Sequence, residues 1–325
     1  MTDWLEKKIT PMLAYSGRPF DSSKHLYEIK WDGIRVLAFF GKRGIRLQTR
    51  RLLDTTHRYP EIVRALEQLP GEGILDGEVV VFEGERPSFE RALERELVSD
   101  PGTIAHRVRT LPAYYIVFDL LYLNGRVLMD EPLEERKRLL STLLTAKPPE
   151  PLIQSTFVLG RGIEYYQQAA AKGLEGIMAK TLDGRYLPGQ RTRDWMKIKV
   201  RRTIDCVVLG TVVERGTGRV KSLVLGAYRE GALVWMGNVG SGLDSDTLRG
   251  LKSDLGPLAG EPPKGLKVVA PGEVRWLKPA LVARVEYAET TREGRLRAPV
   301  FVGFVDSSPE ACRTPLADDR GSPEQ

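Results

Sequence analysis

The sequence predicts an α+β chain built from two domains, a larger one of mixed strands and helices followed by a smaller β-barrel. The length of 325 residues suits two domains on a prior of ~100–200 residues each. The hydrophobic pattern also changes near residue 200. Strand-like and helix-like segments alternate before that point, and short strand-like segments follow one another after it. We therefore expect a domain boundary between residues 199 and 203.

The first 200 residues carry strand patterns that are interrupted by amphipathic helices. Apolar residues at i, i+4 and i+7 predict helices, and apolar runs bounded by Gly, Pro or Asn turns predict strands. The predicted helices cover residues 62–69, 88–97, 133–144 and 163–171, and the predicted strands cover residues 25–29, 34–40, 45–49, 74–82, 114–123, 176–180 and 193–200.

The segment after residue 200 has the pattern of a small barrel. A run of short strands with one helix, predicted at residues 243–255, suits an OB-fold. We expect the first domain to cover residues 1–200 and the barrel to cover residues 201–306. Residues 307–325 lack apolar periodicity, which predicts a disordered tail. The predicted barrel strands cover residues 204–213, 222–228, 232–237, 273–277, 282–287 and 300–305.

Composition narrows the class of protein. The net charge is +6, and because residues 307–325 contribute −2, the rest of the chain carries +8. A basic body favours a polyanionic partner. Two cysteines, Cys206 and Cys312, cannot build a disulfide framework or a four-cysteine zinc site. The sequence has neither a signal-peptide pattern nor an apolar run of ~18 residues, which indicates a cytoplasmic protein without a membrane span.

Lys30 is the strongest candidate for a catalytic residue. It opens the segment 30–35, Lys-Trp-Asp-Gly-Ile-Arg, where a strand pattern meets a glycine turn. A lysine side chain has an ordinary pKa of ~10.4, so it becomes a nucleophile only beside cations or a metal, or when it is desolvated. A short Lys-x-Asp-Gly-x-Arg pattern also arises by chance, and most lysines are solvated surface charges. The segments that follow along the chain therefore decide its interpretation.

Five further segments follow in order, at residues 49–50, 75–79, 117–119, 174–180 and 194–199. Together with segment 30–35 they resemble the covalent nucleotidyltransferase superfamily and, within it, the ATP-dependent DNA ligases. The stretch 187–197, Leu-Pro-Gly-Gln-Arg-Thr-Arg-Asp-Trp-Met-Lys, is most similar to the ligase module of bacterial end-joining ligases of the ligase D type. The resemblance covers roughly residues 9–305. It implies an adenylation (nucleotidyltransferase) domain of antiparallel sheets with helices, followed by an OB-fold β-barrel domain.

The resemblance implies a reaction with a covalent intermediate. Lys30 would attack the α-phosphate of ATP, pyrophosphate would leave, and AMP would stay on the lysine nitrogen. AMP would then pass to the 5′-phosphate at a nick, and the adjacent 3′-hydroxyl would displace it. Asp32 matches a residue that orients the lysine or a metal, and its alternative is an Asx turn before Gly33. Lys197 and Lys199, which share one face of a strand, match a pair that binds the α-phosphate.

Four charged residues match positions that hold the rest of the nucleotide and a metal. Arg35 and Arg50 correspond to arginines that contact ribose or phosphate, for which a guanidinium fork is well suited. Glu78 corresponds to a glutamate on the ribose hydroxyl or a metal, and Glu175 to one near the catalytic metal. Carboxylate oxygens are ligands for Mg²⁺ or Mn²⁺. The alternative for each residue is a charged group at a strand end or turn that faces solvent.

The base of the nucleotide has its own predicted contacts. Phe118 matches the aromatic residue that stacks on adenine, although periodicity alone favours a core position within the apolar strand 114–123. Glu28 matches the residue that recognises the adenine amino group, and Ile29 would contribute its backbone. ATP is therefore the implied nucleotide.

The chain departs from the family pattern at its last motif. The family places an Arg and a Lys around an aspartate after the last barrel strand, where they orient the leaving pyrophosphate. This chain has Val-Asp-Ser-Ser at residues 305–308, so the aspartate remains without the two cations. Two explanations follow: Arg295, Arg297 or Arg313 substitutes for the missing cations, or the protein charges itself slowly with AMP.

The resemblance implies nicked double-stranded DNA as the substrate and a monomer as the acting species. It also implies a Ku-type end-binding protein and a separate repair polymerase as partners. One alternative is an RNA ligase or an mRNA capping guanylyltransferase, which shares the Lys-x-Asp-Gly motif and would be favoured by use of GTP or RNA. Another is a DNA-binding module that has lost the charging step, which the altered last motif supports and the other motif residues oppose.

Overall fold

The computed structural model describes residues 3–144, 148–244, 258–288, 290–291 and 293–315. The chain forms two compact units, Met1–Val200 and Arg201–Gln325. The division falls within the stretch where the hydrophobic pattern changes. In the part of the chain that is described, no helix is long and apolar enough to cross a membrane.

The first unit combines strands and helices in alternation. Its strands are β1 (Leu13–Ser16), β2 (Ser22–Ile29), β3 (Ile34–Phe40), β4 (Arg46–Thr49), β5 (Gly73–Glu83), β6 (Arg86–Pro87), β7 (Ala113–Leu123), β8 (Arg126–Val127), β9 (Leu152–Gln154), β10 (Phe157–Gly160), β11 (Gly176–Thr181) and β12 (Arg191–Lys199). Its helices are α1 (Pro60–Leu66), α2 (Phe89–Glu96), α3 (Pro101–Thr110), α4 (Leu133–Leu144) and α5 (Gly162–Ala171).

These strands build two sheets. The first sheet has the order β1-β12-β11-β2-β10, and the second has the order β4-β3-β5-β7-β8 with β6 on β5 and β9 on β7. Most pairs are antiparallel, and the described exceptions are β1 with β12 and β7 with β9. The predicted α+β domain of antiparallel sheets with helices is thus confirmed.

A shared apolar core joins the two sheets. Met12, Leu37, Ile74, Phe118 and Trp195 belong to one cluster of buried side chains that draws on β3, β5 and β7 of the second sheet and β12 of the first. Helices α1, α2 and α4 pack against the second sheet, and α5 packs against the first. The facing sides of the two sheets are therefore where side chains from both sheets can meet.

The second unit is an OB-fold-type domain. Its strands are β13 (Arg202–Val213), β14 (Val220–Arg229), β15 (Ala232–Val239), β16 (Glu273–Trp276), β17 (Val282–Tyr287) and β18 (Val300–Val305). They form one antiparallel sheet of order β15-β14-β13-β17-β18. Strand β13 pairs with β17 through its first half and with β16 through its last four residues, which bends the sheet around an apolar core.

Two sequence predictions for this unit have different outcomes. The helix predicted at residues 243–255 falls almost wholly on residues 245–257, which lie outside the described part of the chain. The first nine residues of the expected disordered tail are ordered. They include a 3₁₀ turn at Pro309–Ala311 and the buried Cys312, whose carbonyl accepts a hydrogen bond from the Tyr228 N–H at 2.7 Å. Backbone pairing and one buried side chain suffice to order a segment that has no apolar periodicity.

Candidate active site

Lys30 lies directly after β2, at the end of an interior strand of the first sheet. Its backbone N–H donates to the Gly176 carbonyl at 2.9 Å, which fixes the strand end. Its ammonium forms an ion pair with Glu175 Oε2, and its side chain remains 20% exposed. Gly33 is required three residues later because a Cβ there would lie 2.2 Å from the Val79 carbonyl oxygen. The glycine thus lets the segment after Lys30 pass close to β5 of the second sheet.

Glu175 connects Lys30 to Lys199, one of the two lysines of the predicted α-phosphate pair. Its Oε1 lies 2.7 Å from Lys199 Nζ, so one carboxylate holds two ammonium groups. Antiparallel pairing of β11 with β12 sets Gly176 opposite Lys199 and Met178 opposite Lys197. Lys30, Glu175 and Lys199 therefore form one connected group, which brings together three of the residues singled out from the sequence.

Lys197 lies in a strongly cationic environment. Burial lowers its pKa, and repulsion by Arg191, Lys199, Lys30 and Arg50 lowers it further. Such a concentration of positive charge binds an anion, since an anion relieves the repulsion. Arg50 is exposed at the end of β4 and contributes through its charge, and Arg191 is a member of this group that the sequence analysis missed.

Glu78 comes from the opposite sheet. It lies on β5 directly across from Arg35 on β3, and it is half-buried. Burial raises its pKa to about 8, and the charges of Asp76 and Glu175 act in the same direction, against the opposing charges of Arg35 and Lys30. The site therefore holds a carboxylate whose negative charge is poorly compensated, which is the condition that a bound cation corrects.

Arg35 is held more firmly than the sequence suggests. Its Nε and Nη2 donate to the two oxygens of Asp76 at 2.9 and 2.6 Å, and its Nη1 donates to the Met12 carbonyl at 2.9 Å. The Tyr186 hydroxyl donates to the same Asp76 carboxylate at 2.7 Å. Burial is the largest single influence and would lower the pKa of Arg35, but the charges of Asp76, Tyr186 and Glu78 and the hydrogen bonds to Asp76 together outweigh it and raise the pKa. Most of the guanidinium fork is thus engaged within the protein.

Phe118 lies in a buried apolar cluster between the sheets, and we call its surroundings the pocket of Phe118. It is 9% exposed, and its ring meets the Trp195 ring edge-on at 6.2 Å between centroids. Met178 of β11 packs against the same cluster. Arg35 lies 5.3 Å from the centre of the Phe118 ring, which places this pocket beside the charged part of the site.

Glu28 and Ile29 occupy the strand that leads to Lys30. Glu28 is 1% exposed, and its carboxylate forms ion pairs with Lys137 of α4 and Lys180 of β11. Ile29 pairs with Ile177 across β2 and β11. Sequence reasoning missed both lysines because a lysine in an amphipathic helix or short strand is normally assigned to solvent.

Asp32 is half-buried in the turn after Lys30. The three arginines considered as substitutes in the last motif belong to the second unit. The Arg295 guanidinium lies 4.4 Å from the Trp235 ring centre, and that of Arg313 lies 5.9 Å from the Tyr228 ring centre. Arg295 and Arg313 therefore each contact an aromatic ring of the second unit.

The donor set fits a divalent cation that is shared with a phosphorylated ligand. Within the described residues, no group of three or more His, Cys, Asp or Glu side chains could enclose a metal ion. The charge of Glu175 nevertheless raises the pKa of Glu78, so the two carboxyl groups are close enough to interact. Mg²⁺ is commonly held by one or two carboxylates together with substrate phosphates, and this pair matches that pattern.

Comparison with known proteins covers both units. The family model of the ATP dependent DNA ligase domain matches residues 11–199, and that of the ATP dependent DNA ligase C terminal region matches residues 216–306. Over 305 residues the chain is 35% identical to the multifunctional non-homologous end joining DNA repair protein LigD of Mycobacterium tuberculosis. That match covers 91% of this chain and 38% of the relative, so the chain spans well under half of the LigD length.

Other relatives match over their whole length. DNA ligase C1 of Mycolicibacterium smegmatis is 31% identical, over 95% of this chain and 93% of that protein. The crystal structure of the ligase domain from M. tuberculosis LigD superposes with a TM-score of 0.57 at 33% identity, covering 96% of this chain and 99% of that one. A mycobacterial DNA ligase D complexed with ATP and MES superposes with a TM-score of 0.54 at 32% identity, over 97% and 100% of the two chains. With both units matched in order, the chain belongs to the ATP-dependent DNA ligase family.

Proposed function

We propose that this enzyme seals nicks between 3′-hydroxyl and 5′-phosphate ends in double-stranded DNA, through AMP carried on Lys30. The observation that carries the proposal is the connected group of Lys30, Glu175 and Lys199 beside the cationic Lys197. It combines a partly exposed amine, a carboxylate in contact with that amine and a positive environment for a phosphate. These are the requirements of a lysine that attacks a phosphoryl group.

The first step forms a bond between Lys30 Nζ and the α-phosphorus of ATP and breaks the bond to pyrophosphate. Glu175 Oε2 contacts the Lys30 ammonium and is placed to accept the proton that the amine must lose. Lys197 and Lys199 stabilise the negative charge of the α-phosphate as pyrophosphate departs. Phe118 stacks on the adenine, Glu28 recognises its amino group, and Ile29 contributes its backbone.

The two later steps use the same cationic group. A 5′-phosphate oxygen of the nick attacks the phosphorus of the lysine-bound AMP, and Lys30 leaves as the amine. The 3′-hydroxyl then attacks the 5′-phosphate phosphorus, and AMP departs as the phosphodiester bond forms. Asp32 orients the lysine, and Arg50 contributes positive charge on the phosphate side. Arg35, which is held by Asp76 and the Met12 carbonyl, lies on the ribose side.

A divalent cation, Mg²⁺ or Mn²⁺, would neutralise charge on the phosphate oxygens when bound. Glu78 and Glu175 are the residues that would hold it. In the absence of the cation, Glu175 offsets part of the positive charge gathered around Lys30. Glu78 is different, because burial and the charges of Asp76 and Glu175 raise its pKa to about 8.

The LigD relatives support a proposal for the biological setting. We propose that the enzyme acts as a monomer in the bacterial cytosol during end joining, with a Ku-type end-binding protein and a separate repair polymerase as partners. The support is the similarity to the ligase domain of a protein named for non-homologous end joining. Sealing of RNA strands or charging with GTP would instead support the RNA ligase or capping alternative.

The test is the intact mass of the protein before and after incubation with ATP and Mg²⁺ or Mn²⁺. We expect the chain to gain the mass of one AMP, and Lys30→Ala to abolish the gain. Lys24→Ala is the matched control, because Lys24 is an exposed lysine on the same strand β2. Labelling of Lys30→Ala at the wild-type level would refute the assignment of the nucleophile. A separate assay on nicked duplexes distinguishes DNA from RNA as the substrate.

A further inference from the structure

A cluster of buried charges lies beside the pocket of Phe118. The carboxylate of Glu28 is held on one oxygen by Lys137 and on the other by Lys180, whose Nζ lies 2.5 Å from Oε2. All three side chains are at most 4% exposed. We call Glu28, Lys137 and Lys180 the buried triad.

Stability alone does not account for the buried triad. Removing two ammonium groups and a carboxylate from water is costly, and apolar residues of similar volume commonly serve a core equally well. The placement of the triad is more informative. Glu28 precedes Lys30 by two residues, so both side chains leave the same face of the sheet. Lys180 Nζ lies 4.3 Å from the centre of the Phe118 ring and 4.2 Å from that of Trp195.

Lys137 links the two sheets that contribute residues to the site. It lies on α4, which packs against β7 of the second sheet, yet its ammonium pairs with Glu28 of the first sheet. The preceding residue, Arg136, holds Asp119 through two hydrogen bonds of 2.7 and 2.9 Å. Asp119 follows Phe118 directly on β7. Two neighbouring residues of one helix therefore fix both the aromatic and the carboxylate side of the pocket.

We propose that Lys137 is a positioning residue that sets the Glu28 carboxylate for recognition of adenine and against guanine. The proposal rests on the proposed function, in which Phe118 stacks on the base. Each carboxylate oxygen has two lone pairs, and the triad uses one on each oxygen. Glu28 therefore keeps the capacity to accept a hydrogen bond from an amino group, with its orientation fixed from both sides.

The two purines differ at the position that such a carboxylate would meet. Adenine presents an amino donor at C6, and guanine presents a carbonyl oxygen there. A fixed carboxylate accepts from the first and repels the second. A site that accepts a hydrogen bond from one ligand donor strongly rejects an analogue that lacks this donor, because the buried acceptor of the site is then left unpaired. Without Lys137, only Lys180 holds the carboxylate, through one oxygen. The carboxylate can then rotate about that contact and turn away from guanine, so the discrimination falls.

The experiment compares Lys137→Met with Lys137→Arg and with a control on the same helix. Arg138→Met is the control, because Arg138 is 63% exposed and pairs with Glu135 one turn away. Dissociation constants for ATP and GTP are measured by calorimetry on the full chain without divalent cation. We expect Lys137→Met to lower the preference for ATP over GTP on the order of tenfold, as loss of one charge-assisted contact implies. Lys137→Arg should keep most of the preference.

A second readout separates positioning from general damage. In the charging reaction, Lys137→Met should raise the KM for ATP and leave kcat near its wild-type value, because Lys30 and Glu175 are untouched. If Lys137→Met does not fold, Glu28→Gln/Lys137→Met removes the stranded carboxylate and is used in its place. A wild-type ATP preference in the folded variant, or a loss equal to that of Arg138→Met, overturns the proposal. Failure of the wild type to gain AMP would count against the proposed function alone, since base preference is measured by binding.

Discussion

At the scale of single residues, the site is organised by an excess of positive charge that the Glu175 carboxylate only partly offsets. Glu175 is shared between Lys30 and Lys199, and Glu78 faces them from the other sheet. Arg35 is occupied by Asp76 and the Met12 carbonyl. The residues that remain available for a phosphate are therefore the lysines and the exposed Arg50, rather than Arg35.

The raised pKa of Glu78 predicts how stability depends on pH. Its value is about 8 in the folded chain against an ordinary 4.5, so between these values the folded chain binds more protons than the unfolded chain. Stability contributed by this group therefore falls as pH rises from the lower value to the upper one. The glutamine of Glu78→Gln cannot ionise, so this variant does not lose stability through that group as pH rises. We expect its melting temperature, relative to wild type, to be higher at pH 9 than at pH 5.

Thermal unfolding at the two pH values measures this difference. Glu85→Gln is the control, because Glu85 is exposed on the turn that follows β5. If the difference between Glu78→Gln and wild type were the same at pH 5 and pH 9, the carboxyl of Glu78 would not be protonated at neutral pH, and the electrostatic account of the site would need revision.

The residue scale also shows what sequence could predict. Lys30, Glu175 and Lys199 were predicted because each lies in a short motif whose residue types suit the chemistry, and the structure joins them. Asp76, Lys137 and Lys180 were missed because their roles depend on burial and on partners that are distant in sequence, such as Lys137 and Glu28. Periodicity assigns such residues to the surface, and pairing across 109 positions leaves no local pattern.

At the scale of elements, the site depends on how closely β11 and β12 approach. Gly176 begins β11 at φ +146°, and a Cβ there would lie 2.1 Å from the Ile198 carbonyl oxygen and 2.8 Å from Lys199 Cα. Val200 N–H also donates to the Glu175 carbonyl at 2.9 Å. Glu175 and Lys199 are therefore positioned by a strand pair that only glycine permits at this point.

Gly176→Ala should disturb both stability and charging. The positive φ alone disfavours alanine, and the close contact with the Ile198 carbonyl oxygen adds a further cost. We therefore expect the free energy of unfolding to fall by more than ~1 kcal/mol. For a unit of this size that corresponds to a fall in melting temperature of at least ~2–4 °C. The AMP charging rate should fall as well, because Glu175 and Lys199 shift. Thermal unfolding and the labelling rate measure the two effects.

Gly102→Ala provides the contrast within the same unit. Gly102 lies in the first turn of α3, and the nearest atom to its Cβ position is Asp100 Oδ2 at 3.4 Å. Alanine there should leave both measurements unchanged or raise stability slightly. Equal effects of the two substitutions would show that the close approach of β11 and β12 is not what requires glycine at position 176.

Helix α3 shows where element prediction fell short. The sequence analysis predicted no helix there, since only Ile104 among its residues is buried and the apolar periodicity is weak. Its start is nevertheless marked in the sequence: Asp100 accepts a hydrogen bond from the Thr103 N–H at 2.7 Å, and Pro101 occupies the first helical position. Capping residues could have located this helix where periodicity could not.

At the scale of the whole molecule, the candidate site and the altered last motif belong to different units. The first unit carries every residue of the candidate site, and the second carries the altered last motif at residues 305–308. The basic character of the chain, +6 in net charge, suits a DNA backbone, and binding to nicked DNA should weaken as salt rises. The departure from the family pattern therefore concerns the charging step, in which pyrophosphate must be oriented, rather than the fold or the nucleophile.

The altered motif predicts that charging with ATP is slower than sealing. Without the family's Arg and Lys, the leaving pyrophosphate has fewer cations to stabilise it, whereas a nick that already carries AMP releases no pyrophosphate. Single-turnover rates for AMP labelling of the chain and for sealing of a pre-adenylated nick test this directly. Arg295→Ala, Arg297→Ala and Arg313→Ala should identify any substitute, because loss of that residue slows labelling and spares sealing. Arg284→Ala, which removes an exposed arginine paired with Asp205, serves as the control. Labelling by ATP that is faster than sealing would show that the missing cations are dispensable.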